Sequence, residues 1–280
     1  MKAGRTGSNP GDVTKQHPVE SDALRTLRKD IGSASFLLNT VVVGLDAVAK
    51  GHQKPDGIMV AWEPKDRLDA AKRARKFTVE AFIVRVAEAL KAYQNTISKL
   101  PQFKSIRDGW NQDDGAAKKL DAICRPIITD EKYLVAAGKL LITWRNIVSH
   151  NLAVEFKKPD EKLLRANAGL ISRNYAALEI DRLIVHMKEG RPTLKDVSSL
   201  ISMAINLAVK IDNSVYTSLT KEDVFSLAEH YGIVSNVQSI RQETTAGKIE
   251  SSIKRSFNSR ATRLYAHFLK FYMADGSDFK

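Results

Sequence analysis

Over 280 residues the chain is 43% hydrophobic and 27% charged, with 15 Gly and 8 Pro. That composition is long and apolar enough for a real core, and it excludes a disordered or collagen-like chain. The single cysteine excludes an intramolecular disulfide framework, and the formal net charge of +12 draws polyanions and speeds their encounter.

Residues 1–18, with Gly4, Gly7, Pro10, Gly11 and Pro18, lack periodicity and read as a flexible arm. A helix then starts at a Ser21 N-cap. Its apolar positions Leu24, Leu27, Ile31, Ala34, Leu38, Val41, Leu45 and Val48 step by three and four and predict one buried face along the whole helix. Gly51, Pro55, Gly57 and Pro64 mark a loop. The second helix runs to about Lys99 with Val79, Phe82, Val86, Leu90, Tyr93 and Ile97 as its stripe, and Pro101 stops it.

An irregular stretch over 102–115 leads to a short helix ending near Pro126. Its Cys124 reads as a small buried hydrophobe. Thr129 caps the fourth helix, whose stripe is Leu134, Ala137, Leu141, Trp144 and Val148. Pro159 and Asp160 open a long helix ending at Gly190–Pro192. Thr193 with Asp196, and Thr220 with Asp223, are capping boxes with Asp in place of Glu or Gln. They predict helices over about 194–217 and 221–231, and a last helix covers about 248–273. No segment alternates at period two. The expected fold is all-α, a mostly antiparallel helical bundle over 19–190 with an additional C-terminal helical segment over 191–280. No stretch approaches the roughly 18 uninterrupted apolar residues of a membrane span, and no secretory leader is visible, so a cytoplasmic protein without a membrane partner is expected.

Familiar catalytic motifs are missing: there is no phosphate-binding loop, no Cys-x-x-Cys and no His-Glu-x-x-His. Six scattered His and one Cys predict no metal site and no cofactor. Asp113 and Asp114, an adjacent acidic pair beside Gly115, read as a solvated turn. The segment that stands apart is Trp144-Arg145-Asn146-Ile147-Val148-Ser149-His150. Trp144 and Val148 belong to the stripe, which leaves Arg145, Asn146 and His150 on the polar side. Asn146 is four before His150, so its amide is expected to orient the imidazole. Arg145 is five before it, an offset of about 7.5 Å that a long guanidinium side chain spans. A cationic fork for phosphate oxygens then lies beside an acid–base group. That pair suits scission of RNA by its own 2′-hydroxyl: the histidine moves the proton, the arginine stabilises charge on phosphorus, and the reaction needs no metal.

Arg145-Asn146-x-x-x-His150, at the end of a helix in a basic helical chain, resembles the signature of the HEPN-domain ribonucleases. The resemblance implies a metal-independent endoribonuclease leaving 2′,3′-cyclic phosphate ends, with His150 as acid–base group, Arg145 as phosphate clamp and Asn146 as orienter. It also implies a homodimer with two motifs face to face, and a role as toxin or antiviral effector with a neutralising or activating protein partner. It covers about residues 20–190. The competing reading is a non-catalytic, antitoxin-like adaptor that binds RNA or protein.

Lys65, Arg67, Lys72, Arg73, Arg75 and Lys76 concentrate positive charge at the start of the second helix. Cations there oppose the helix dipole, a penalty that RNA phosphates would offset. A merely solvated basic face is the other reading. Arg182 and His186 read as a surface pair. Arg260 and His267 form a decoy spacing without a polar residue after the arginine. Tyr265, Phe268 and Tyr272 near Arg263 and Lys270 read as core rather than as a base-stacking face.

Overall fold

The computed structural model describes residues 21–150, 155–217 and 220–230. The predicted N-terminal arm, the last helix over about 248–273 and the Arg260–His267 decoy lie outside these residues. Among the described residues there are ten α-helices, one 3-10 turn and no strand, so the fold is all-α.

Helix α1 (Asp22–Ala49) begins where the sequence places it: the Ser21 side chain accepts from the Leu24 amide at 3.1 Å. The same serine anchors this end to the far side of the chain, because its backbone amide donates to the buried Asp212 carboxylate at 3.0 Å and its hydroxyl donates to the other oxygen. Helix α2 (Arg67–Ile97) is capped by Asp66, which accepts from the Asp69 amide at 3.0 Å. It runs antiparallel to α1, as Arg67 on the Gly51 carbonyl (2.9 Å) and Arg85 opposite Asp30 (3.9 Å) show. Every residue of the predicted α2 stripe is buried.

On α1 only half of the expectation holds. Leu24, Leu27, Ile31, Ala34 and Leu38 are buried, but Val41 is 42% exposed and Leu45 and Val48 are only partly covered. Phe36, Leu37 and Val43 are exposed as well. Among the described residues, the rest of the bundle covers the half of the α1–α2 hairpin with the start of α1 and the end of α2, and the other half is left more open. An 18-residue window of α1 has a mean hydropathy of 1.6 with 17% of its residues buried, so by length and composition alone this helix could cross a membrane.

A 3-10 turn (Pro101–Phe103) and the short α3 (Lys104–Asp108) lead into α4 (Ala116–Cys124). Helix α5 (Lys132–His150) then starts two residues later than a Thr129 cap predicts, after Glu131 at φ 39°. Tyr133 to Gly138 and Leu140 to Trp144 are all buried, so over this length α5 is covered on every side, not along one stripe. Helices α2, α4, α6 and α9 surround it. Gly138 is where the covering is tightest: a Cβ there would lie 2.9 Å from a Leu207 methyl and 3.0 Å from one of Leu120. Lys139, the one charged side chain in the covered stretch, pairs with Asp121 of α4 (3.3 Å) and Asp160 of α6 (2.7 Å).

The long helix expected over 160–190 is three: α6 (Lys158–Ala166), α7 (Ala168–Asn174) and α8 (Ile180–Lys188). Asn167 interrupts the first pair by donating its side-chain amide to the Leu163 carbonyl at 2.9 Å. Ala176 and Ala177, at φ 50° and 54°, turn the chain before α8. Helices α9 (Leu194–Thr217) and α10 (Lys221–His230) start at the two predicted capping boxes. Thr193 and Asp196 exchange bonds of 2.9 and 3.2 Å, and Thr220 and Asp223 exchange bonds of 3.0 and 3.1 Å. The Gly190–Pro192 turn separates helices that share a core: Leu200, Met203, Ala204, Leu207 and Ile211 of α9 are buried with the side chains of α2 and α5. Tyr93 of α2 donates to the Ala208 carbonyl at 2.9 Å. Burial, reinforced by the Asp212 charge, pushes its phenol well above the ordinary range.

Candidate active site

The segment from Arg145 to His150 is where α5 leaves the core. Trp144 is fully buried, Arg145 and Asn146 are half-buried, and Ser149 and His150 are exposed. One helix thus carries its polar groups from an anchored base to the surface within two turns.

The Arg145 guanidinium organises the site. One terminal nitrogen, Nη1, donates to the Asn146 side-chain oxygen at 3.1 Å and lies 3.0 Å from His150 Nε2. A guanidinium carries only donors, so Nε2 accepts and the ring proton belongs on Nδ1. The ring nitrogen facing the arginine therefore carries a lone pair. The other terminal nitrogen, Nη2, pairs with Glu88 Oε1 of α2 at 2.6 Å. Lys91 lies 3.6 Å from the second Glu88 oxygen. Arg145 Nε is buried and has no partner among the described residues.

This corrects the expected wiring in one respect. Arg145 does span the five-residue offset to His150. Asn146, however, turns its oxygen to the arginine and not to the imidazole, so it aims the clamp and the clamp aims the ring.

Glu88 and Lys91 were not visible as site residues in the sequence. They are ordinary polar positions on the exposed side of α2, and no spacing ties them to a motif on another helix. Only the packing of α2 on α5 brings them together.

Arg145 and Asn146 also form one wall of a cleft of about 370 Å³ between α2, the start of α4 and α5. Ala87, Ala116 and Ile142 contribute apolar surface, and Lys91, Asn95, Asp114 and Lys119 contribute polar surface. Gln94, 2% exposed, joins α2 to α4 with its amide nitrogen 3.2 Å from the Ala116 carbonyl and its oxygen 3.3 Å from the Leu120 amide. Asp114 accepts from the Asn111 amide (3.1 Å) and from Lys118 (2.6 Å). The Lys118 bond, helped by the Asn111 amide, holds its carboxyl below the usual range. Lys119 lies 5.3 Å over the Trp110 ring.

The basic residues at the start of α2 are not gathered at this cleft. Along the helix axis Lys76 is about 18 Å from Glu88, and Arg67 about 31 Å. Arg67 is spent on the Gly51 carbonyl, Arg73 pairs with Asp69 at 2.9 Å and Lys76 faces Glu80 at 3.6 Å. Lys65 and Lys72 are exposed and make no ion pair among the described residues, and Arg75, exposed as well, lies near enough to Asp46 for its charge to help hold that carboxyl down. Arg73 shares one face of α2 with Lys91, five helical turns on, so a polyanion following that face would run from the basic end to the cleft.

His186 is engaged elsewhere: its Nδ1 lies 2.8 Å from Asp196, inside the cap of α9. Arg182 pairs with Glu179 at 3.0 Å, so the two residues do not form a pair with each other. His52 lies in the exposed loop after α1. No group of three or more His, Cys, Asp and Glu among the described residues is placed to hold a metal ion. Comparison of the chain with known protein-family models, with curated proteins and with solved structures found no match.

Proposed function

We propose that this chain is a metal-independent endoribonuclease of the HEPN type that cuts RNA through its 2′-hydroxyl and leaves 2′,3′-cyclic phosphate ends. The observation that carries this reading is the single guanidinium that touches Asn146, Glu88 and the His150 ring nitrogen at once. It joins a phosphate clamp to an imidazole whose facing nitrogen has a lone pair. In the reaction that imidazole takes the proton of the 2′-hydroxyl as the oxygen attacks phosphorus. The P–O5′ bond breaks, and the leaving oxygen needs a proton in return. Arg145 moves from Nε2 to the phosphate oxygens, where charge builds in the five-coordinate state.

One motif supplies one imidazole. A second copy of the chain, related by a two-fold axis near the end of α5, supplies the second as acid. The active form is therefore a homodimer. Lys65, Arg67, Lys72, Arg73, Arg75 and Lys76 would guide the RNA through their charge. A cytoplasmic toxin or antiviral effector, restrained or switched on by another protein, is the setting that this chemistry fits.

The test is incubation of the pure protein with end-labelled RNA in EDTA and mass spectrometry of the product ends. Cleavage with 2′,3′-cyclic phosphate termini is expected. Strict magnesium dependence with 5′-phosphate ends would overturn the mechanism. The second reading, a non-catalytic adaptor, draws on the exposed apolar half of α1; it predicts intact RNA in the same assay.

A further inference from the structure

We propose that the cleft between α2, α4 and α5 is the seat of one nucleoside of the RNA, the one joined to the phosphate that Arg145 holds. This rests on the ribonuclease reading and deepens it, by giving the enzyme a place to tell bases apart.

Continuity is the first ground. Arg145 and Asn146 line the cleft themselves, so a phosphate on the guanidinium has its sugar at the opening. Size is the second. About 370 Å³ lies near the lower end of small-ligand sites, roughly 300–1,000 Å³, and has room for one nucleoside but not for a helix or a second base.

The lining is the third ground. Ala87, Ala116 and Ile142 present small apolar surface against which a flat ring packs without a bulky side chain in its way. Asn95 is exposed beside them, and its side-chain amide makes no hydrogen bond among the described residues. An amide offers both a donor and an acceptor, the pair needed to read a base edge. Lys119 sits over Trp110, close enough to Asp114 to help hold its carboxyl down, and adds positive charge to the lining. Arg145 adds an orphan: its buried Nε–H lacks an acceptor, and in a folded protein such a donor usually has one, which a ligand oxygen would supply.

The contrast with the basic end of α2 fixes the division of labour. Lys65 and Lys72 are solvated cations that attract any polyanion, whereas the cleft sets a neutral amide and apolar surface beside Arg145, Lys91 and Lys119, with Glu88 and Asp114 as its carboxylates. Phosphate contacts position a strand, and base contacts specify it.

The experiment uses the full chain carrying His150→Ala, to prevent turnover, and measures binding of inorganic phosphate, the four nucleoside 3′-monophosphates and the four 5′-monophosphates. The 3′ series reports a nucleoside on the 5′ side of the cut, and the 5′ series one on the 3′ side. One nucleotide of one series is expected to bind at least about tenfold tighter than inorganic phosphate. Adding Asn95→Ala or Ala116→Leu should bring that nucleotide to within about threefold of phosphate. Adding Arg145→Ala should instead weaken phosphate and all nucleotides together. If no nucleotide exceeds phosphate, or if the margin survives both cleft variants in folded protein, the cleft is not a nucleoside site. Cleavage of RNA by the wild type alongside that result removes this inference alone; intact RNA in EDTA removes the ribonuclease reading beneath it.

Discussion

Two stretches of this chain share one kind of sequence and meet opposite fates. From Tyr133 to Trp144, α5 is apolar nearly all round and is covered on every side. From Phe36 to Val48, α1 is as apolar, with Leu37, Val41, Val42, Val43 and Leu45 in its run, yet among the described residues α2 is its main neighbour and Phe36 and Val43 stay 72% and 70% exposed. A helix apolar on all faces is normally internal to something. For α5 that something is the bundle. For the far half of α1 it is not within the described residues, so the same composition that makes α5 a scaffold leaves α1 with an open apolar face. The Arg145–His150 motif grows from the first, and the second leaves Phe36, Leu37, Val41 and Val43 exposed.

The largest expected effect breaks the scaffold. Trp144 is fully buried one residue before Arg145, and Trp144→Ala should cost about 3–5 kcal/mol in urea unfolding. Phe36→Ser and Val43→Ser, which remove side chains of comparable apolarity from α1, should change unfolding by less than about 0.5 kcal/mol when measured on dilute monomer. Equal losses at the two sites would mean that the far half of α1 is covered within a single chain, and the comparison would fall.

Next in size is the motif. His150→Ala and Arg145→Ala should each lower RNA cleavage at least about a hundredfold. Their effect on stability should be small, because His150 is exposed and removing Arg145 still leaves Glu88 beside Lys91 at 3.6 Å. A melt that drops as far as that of Trp144→Ala would show that Arg145 serves the scaffold and not the reaction.

What the sequence disclosed follows from range. Ser21, Thr193 with Asp196, and Thr220 with Asp223 act within three residues of themselves, and each cap forms where it is read. The α2 stripe is a local period with neighbours in place to use it. Ala176 and Ala177 carry no mark of the positive φ they adopt, so the break before α8 was hidden. Glu88 reaches Arg145 only because two helices pack together. A period of three and four states which face is apolar, and whether another element arrives to cover it is decided elsewhere in the chain; this is why the end of α1 was read as buried.

A third prediction concerns the surface itself. Leu37 and Val41 line a groove of about 340 Å³ with Phe82 on the α1–α2 hairpin. If a second copy covers this face, sedimentation at micromolar concentration should give about twice the 31.1 kDa chain mass. Leu37→Ser with Val41→Ser should return it to that of one chain, with RNA cleavage falling in step. A wild-type monomer that cuts RNA would remove the two-copy site and assign the face to a different partner.

The smallest effect probes what covers α5 and not α1. Helix α6 lies over α5 and is joined to α8 through Glu161, which accepts from Arg165 at 2.8 Å and faces Lys188 at 3.6 Å, while Arg165 also reaches Asp181. The Arg165 bond is the main cause holding the Glu161 carboxyl below its ordinary value of 4.5. A carboxyl depressed in the folded state stabilises it above the unfolded pKa, and that contribution disappears as the pH falls through the folded value. Glu161→Gln should therefore lower stability at pH 7 by less than about 1 kcal/mol, the scale of a solvent-screened pair. The gap between variant and wild type should stay constant down to about pH 5 and close below it. The curves of Leu37→Ser and its parent, by contrast, should run parallel over the same range, since no titrating group of the folded chain is removed. A gap that widens in acid would mean that Glu161 is unfavourable where it stands, and that the apolar faces of α6 and α8 hold the cover on α5 without it.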